Sequence, residues 1–182
     1  MSYDLKKTVV FVGMMGAGKT AVGKALAAKL NVPFIDSDAE IVKAANMSIA
    51  EIFERDGEAF FRLKESQVIA RLLEEERCIL STGGGAYLAE GNRAEISKRG
   101  VAVWLDADVE LLWNRVKHKD TRPLLRTDNP RKTLEEIFDA RVPLYSLADL
   151  PVKAEAGLSI EEMADRVAQA LLDARPDVLA ET

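Results

Sequence analysis

Gly13-Met14-Met15-Gly16-Ala17-Gly18-Lys19-Thr20 has the residue types and spacing G-x-x-x-x-G-K-[ST] of a phosphate cradle. Glycines at these spacings let successive backbone N–H groups turn inward around an anion, and a helix beginning at Lys19 would add its positive end. Lys19 suits the β- and γ-phosphates of a nucleoside triphosphate, and the Thr20 hydroxyl suits Mg²⁺. Gly13, Gly16, Ala17, Gly18, Lys19, Thr20 and Ala21 are therefore the candidate nucleotide-binding residues. The bland alternative is a Gly-rich turn, but the loop stands between an apolar run and a segment of helical period, where a phosphate loop must stand.

A second group of residues could serve an acceptor. Asp36 and Asp38 stand one residue apart at the end of the apolar run Phe34-Ile35, where ligands bind in open α/β sheets. A single Asp there would be read as a helix cap; two allow one to face a metal's water shell and the other an acceptor hydroxyl. Arg62 and Glu65 lie at helical i, i+3 spacing, and taken alone they would be a solvated ion pair worth under about 1 kcal/mol. Gly83, Gly84 and Gly85 follow Ser81-Thr82 and would let a ligand lie against bare backbone. Ser81 occupies a strand end where related folds place a metal-facing acid. Arg122 and Arg141 carry the guanidinium suited to carboxylate and phosphate. His118 is the only histidine, which excludes multi-histidine metal sites; a solvated position is expected for it.

Short apolar runs alternating with helical-period segments must position these groups, the signature of βαβ units and a parallel sheet. Strands are expected at Thr8–Val12, 33–35, 77–81, 101–105 and 150–154. Val22, Leu26 and Leu30 make one apolar face of the helix after the glycine-rich loop. Ser48 with Glu51, Thr133 with Glu136 and Ser159 with Glu162 have capping-box spacing, and Asp108 is expected to cap a further helix. A helix over 57–75 would turn Phe61, Val68 and Leu72 inward. Residues 117–131 lose apolar period over a length unusual for a connection, so a lid is expected there. The tail over 176–182 is expected to fray.

The whole fits one domain over 1–182, since 182 residues with 48% hydrophobic can bury a real core. With 25 basic and 30 acidic residues the net charge is -5, which argues against a nucleic-acid partner. A single cysteine, Cys78, excludes an intrachain disulfide and is expected in the core. No run approaches the ~18 apolar residues of a membrane span. The apolar run after Lys6-Lys7 breaks at Gly16 and lacks a cleavage site. A soluble, cytoplasmic protein without membrane partners is expected.

Taken together, the loop Gly13 to Thr20, Asp36-x-Asp38, Gly57-Glu-x-x-Phe-Arg62-x-x-Glu65, Gly83-Gly84-Gly85, Arg122-Pro-Leu-Leu and Arg141-x-Pro-Leu-Tyr145 resemble shikimate kinase over about residues 7–172. The resemblance implies a three-layer α/β P-loop kinase fold with a five-stranded parallel sheet in the order 2-3-1-4-5 and a closing lid. It also implies transfer of the ATP γ-phosphoryl group to the shikimate 3-hydroxyl. By position, Asp38, Arg62, Gly83, Gly84, Gly85 and Arg141 would hold shikimate, and Asp36 and Ser81 would shape the Mg²⁺ water shell. Arg122 would close on the phosphates and Arg115 would stack on adenine, leaving Lys19, Asp38 and Arg122 as catalytic residues. With arginines nearby, Asp38 is expected to have a low pKa and to orient the hydroxyl. A monomer is expected. The alternatives are a gluconate or nucleoside monophosphate kinase, which fit the triglycine and Arg141 motifs poorly, and a non-catalytic nucleotide-binding regulator.

Overall fold

The computed structural model describes residues 2–118 and 125–182. Its centre is β2 Thr8–Val12, a run of β-branched and aromatic residues buried along its whole length, as a strand covered on both faces must be. Parallel neighbours flank it: β4 Ile79–Ser81 on one side and β5 Gly100–Asp106 on the other, with β3 Phe34–Asp36 and β6 Leu150–Lys153 outermost. The five-stranded order is β3-β4-β2-β5-β6. Counted within that sheet alone, this is the expected 2-3-1-4-5.

Helices cover the sheet: α1 Lys19–Leu30, α2 Ser37–Ala45, α3 Ile49–Asp56, α4 Glu58–Glu75, α5 Glu90–Arg99, α6 Val109–Val116, α7 Pro130–Tyr145 and α8 Ile160–Ala174. On α1, Val22, Leu26 and Leu30 are buried as their spacing requires. The reciprocal capping boxes of Ser48 with Glu51 and Ser159 with Glu162 both form, and Asp108 caps α6 through Leu111 N at 2.9 Å. Gly57, at φ 87 and ψ 169, separates α3 from α4 in a conformation open almost only to glycine. It folds α4 back so that Phe61 meets Phe53 with ring centroids 4.8 Å apart. Cys78 is fully buried, and loss of solvation pushes its thiol up to about 11. Among the described residues no helix is long and apolar enough to cross a membrane.

Two expectations are corrected. The cap of α7 is Asn129, whose side chain accepts from Lys132 N at 3.2 Å, with Pro130 opening the helix. Thr133 therefore lies inside the first turn and donates to Asn129 O at 3.1 Å. A preset proline at the first helical position outweighs a capping-box spacing one turn later.

The tail does not fray. β7 Leu179–Glu181 pairs antiparallel with β1 Tyr3–Leu5 in a separate two-stranded sheet. Val178 and Leu179 are buried, so local contact with α8 and with β1 outweighs the freedom a terminal segment would otherwise keep. Lys6 N donates to Val178 O at 2.7 Å and Thr182 N to Ser2 O at 3.1 Å. A hydrogen bond from Arg175, reinforced by Lys7, holds Asp177 below the ordinary carboxylate range.

The lid expected over 117–131 falls in part on residues 119–124, which include Arg122 and lie outside the described residues. His118 is exposed, as expected.

Candidate active site

The glycine-rich loop joins the C-terminal end of β2 to the start of α1. Positive φ values of 145, 82 and 97 at Gly13, Gly16 and Gly18 produce the reversal that lets its amides face one point. Lys19, Thr20 and Ala21 are the first three residues of α1, whose N–H groups have no partner within the helix. Lys19 Nζ folds across the loop onto Gly13 O at 2.5 Å.

The last turn of α6 backs the loop. A Cβ on Gly16 would sit 2.8 Å from Val116 Cγ1, and Arg115 Nη1 donates to Gly16 O at 3.0 Å and Ala17 O at 3.1 Å. Arg115 thus grips the loop's backbone here; an adenine stack would require it to let go of those carbonyls.

Beside the loop, the strand ends bring acidic and hydroxyl oxygens together. Ser81 is the register partner of both Phe11 on β2 and Asp36 on β3. Thr82 Oγ1 donates to Phe11 O at 3.0 Å, fixing the exit of β4 against β2. Asp36 is the N-cap of α2, with one carboxylate oxygen accepting from Asp38 N at 2.9 Å and Ala39 N at 3.2 Å. The capping role and the strand-end position coexist, since the second carboxylate oxygen is not needed for the cap.

The acceptor-side residues come from four separate elements and meet at the triglycine loop. A Cβ on Gly83 would lie 3.0 Å from both Asp38 carboxylate oxygens, one on Gly84 would lie 2.8 Å from Arg141 Nη1, and one on Gly85 would lie 2.5 Å from Arg62 Nη2. Each glycine therefore faces one charged side chain, with no room for a side chain of its own. Glu65, only 1% exposed, accepts from Arg62 Nη1 at 2.9 Å, while Arg62 remains 35% exposed. This is no solvated surface pair: the carboxylate is fixed in the core and aims the guanidinium outward over Gly85. One oxygen of Asp38 and one of Glu65 are buried without a hydrogen-bond partner among the described residues, a condition that native interiors avoid unless a ligand or water completes it.

Burial, and then the negative charge of Asp36, raise the Asp38 carboxyl above its ordinary value, outweighing Lys19 and Arg62. The low value expected from nearby arginines is thus corrected, because desolvation dominates where the guanidinium is half in solvent. Burial raises Glu65 as well, against the opposing Arg62 hydrogen bond. Tyr145, at the end of α7, was visible only as part of a motif; its hydroxyl donates to Gly84 O at 2.6 Å. No local signal in the sequence distinguishes this phenol from a core aromatic.

A model of the family described as shikimate kinase matches residues 15–172. The chain belongs to the shikimate kinase family. It is 70% identical over 96% of its length to the shikimate kinase of Ruegeria pomeroyi, covering 89% of that chain. It is 66% identical to that of Cereibacter sphaeroides, covering 96% of this chain and 87% of the relative. A shikimate kinase from Acinetobacter baumannii, solved in complex with shikimate, superposes with a TM-score of 0.85 at 36% identity, covering 93% of this chain and 94% of that one. The family is one of ATP-dependent phosphotransferases, and membership in it disfavours the gluconate kinase, nucleoside monophosphate kinase and non-catalytic alternatives.

Proposed function

We propose that residues 1–182 act as one catalytic unit that transfers the ATP γ-phosphoryl group to the 3-hydroxyl of shikimate, giving shikimate 3-phosphate and ADP. The observation that carries this reading is the convergence of Asp38, Arg62 and Arg141 on Gly83, Gly84 and Gly85, beside the glycine-rich loop. Two guanidiniums and a carboxylate around bare backbone suit a small polyhydroxylated carboxylic acid: the arginines take its carboxylate and Asp38 takes a hydroxyl. The partly unsatisfied oxygen of Asp38 is available to that hydroxyl.

The loop amides and Lys19 hold the triphosphate, with Gly13, Gly16, Ala17, Gly18, Thr20 and Ala21 supplying the cradle. Thr20, with Asp36 and Ser81 acting through water, supplies hard oxygen donors that suit Mg²⁺. Three acidic or histidine ligands are not grouped anywhere among the described residues, which fits an ion held mainly by water and phosphate. When bound, Mg²⁺ supplies neutralisation of phosphate charge. The acceptor oxygen forms the new bond to the γ-phosphorus as the bond from that phosphorus to the β-bridging oxygen breaks, and Asp38 orients the hydroxyl and can take its proton. Arg122 closes on the phosphates, and Arg115 turns from the loop carbonyls to the base. The protein works as a monomer in the cytoplasm, without nucleic-acid or membrane partners.

ADP release measured with shikimate, gluconate and nucleoside monophosphates, with and without Mg²⁺, tests the reading. Turnover should require shikimate and Mg²⁺; faster turnover of a rival acceptor overturns it. Arg122→Ala should lower kcat more than it weakens ATP binding, because a closing residue acts chiefly on the transition state.

A further inference from the structure

Tyr145 is fully buried, yet its oxygen reaches the triglycine loop. A tyrosine that merely filled space would bury its hydroxyl at a cost unless that group found a partner. Here the partner is the carbonyl of Gly84, the middle residue of a segment without side chains to hold it. Because the peptide is planar and trans, fixing that carbonyl also fixes the direction of the Gly85 N–H. Arg141 stands one helical turn before Tyr145 on α7, and a Cβ on Gly84 would lie 2.8 Å from Arg141 Nη1 and 3.7 Å from the Tyr145 hydroxyl. Helix, guanidinium, phenol and loop carbonyl thus meet at one point. Trp104 on β5 lies alongside the phenol ring, centroids 6.5 Å apart. Burial raises the phenol above its ordinary value against the opposing charge of Arg141, so it keeps its proton and remains a donor at neutral pH.

We propose that Tyr145 is a positioning residue for the acceptor, pinning the Gly84 carbonyl and backing the Arg141 guanidinium so that loop and arginine keep a fixed spacing. This rests on the reading that Arg141 and the triglycine loop hold shikimate. Tyr145 acts through both and touches neither ATP nor the transferred group.

The test is a cycle of Tyr145→Phe, Arg141→Ala and the double variant, with KM for each substrate, kcat and melting temperature measured for all. Phe keeps the ring and its packing and removes only the hydroxyl. In Tyr145→Phe the KM for shikimate should rise about tenfold, the loss expected for one buried hydrogen bond, while the KM for ATP stays within about twofold. In the Arg141→Ala background the same change should add less than about twofold, since residues acting as a unit are non-additive. A shikimate KM within about twofold of wild type in Tyr145→Phe overturns the proposal, as does an equal rise in both KM values with a lowered melting temperature, which would mark a purely structural role. If Arg141→Ala itself leaves the shikimate KM unchanged, the underlying site assignment falls and the proposal with it, a result distinct from failure of Tyr145→Phe alone.

Discussion

The nucleotide loop and the acceptor site stand side by side at the C-terminal ends of neighbouring strands, β2 and β4, but are built in opposite ways. The loop is one unbroken stretch, shaped by backbone torsions at Gly13, Gly16 and Gly18 and by the start of α1. The acceptor site is gathered from α2, α4, the turn after β4 and α7, and is shaped by charged side chains pressed against glycine backbone. One depends on local conformation, the other on tertiary packing that brings Asp38, Arg62 and Arg141 together. The contrast predicts that damage to each half should show in different kinetic constants.

The largest effect is expected at Asp38, where the halves meet. Asp38→Asn should lower kcat by about 10²–10⁴ if the carboxylate is the base, and more moderately if it only orients the hydroxyl, with ATP affinity retained in either case. Near-normal kcat would reduce Asp38 to a structural residue. Stability should move the other way. Burial raises this carboxyl above its ordinary value, so the folded chain binds its proton more tightly than the unfolded chain, and ionised Asp38 lowers stability at neutral pH. The Asn variant should therefore melt higher than wild type near neutrality. The gap should shrink as pH falls through the raised pKa, where wild-type Asp38 becomes neutral too. Melting curves across pH check the sign.

A pair of alanine substitutions separates the halves directly. Gly85→Ala places a methyl group 2.5 Å from Arg62 Nη2 without left-handed backbone strain. It should raise the shikimate KM by about 10-fold or more, on the scale of a displaced charge-assisted contact, with ATP KM little changed. Gly18→Ala forces a residue with Cβ into φ 97, at a strain of about 1–3 kcal/mol, and should chiefly raise the ATP KM. If either variant moves both constants equally, the two halves are not separable.

The smallest effect on catalysis is expected in the β1–β7 sheet, which lies outside both halves. Leu179→Ala removes a fully buried side chain, a class of change costing about 2–5 kcal/mol of stability, yet both KM values should stay at wild type below the melting transition. Altered KM values would show that the small sheet communicates with the site.

What could be read from the sequence follows the same division. The glycine-rich loop is contiguous, so spacing alone discloses it, and four of the five sheet strands stand out as apolar runs, while Leu150–Lys153, interrupted by Pro151 and ending on a lysine, gives a weaker signal. The β1–β7 pairing was hidden because three-residue strands carry no period and their partners lie at opposite ends of the chain. The cap of α7 differs from the one the spacing predicts because Thr133 and Glu136 match a pattern that Asn129 and Pro130 pre-empt one turn earlier. On the acceptor side the residue types were legible, but the burial of Glu65, the raised Asp38 carboxyl and the Tyr145 contact with Gly84 arise only when distant elements pack. Arg115 bonding to the loop carbonyls belongs to the same class, since it joins residues nearly a hundred positions apart.

The clasp between β1 and β7 also bears on how the protein answers to force. Tyr3 stands opposite Glu181 and Leu5 opposite Leu179, so the two outer ends leave the pair side by side. Tension applied at those ends would peel the ladder open one hydrogen bond at a time, because antiparallel bonds run perpendicular to the strands, and would not shear several together. The clasp would then give way at low load, while the parallel sheet around β2 met the pull next. Stretching single molecules should show a weak early event ahead of the main rupture, and Leu179→Ala should erase the first while sparing the second.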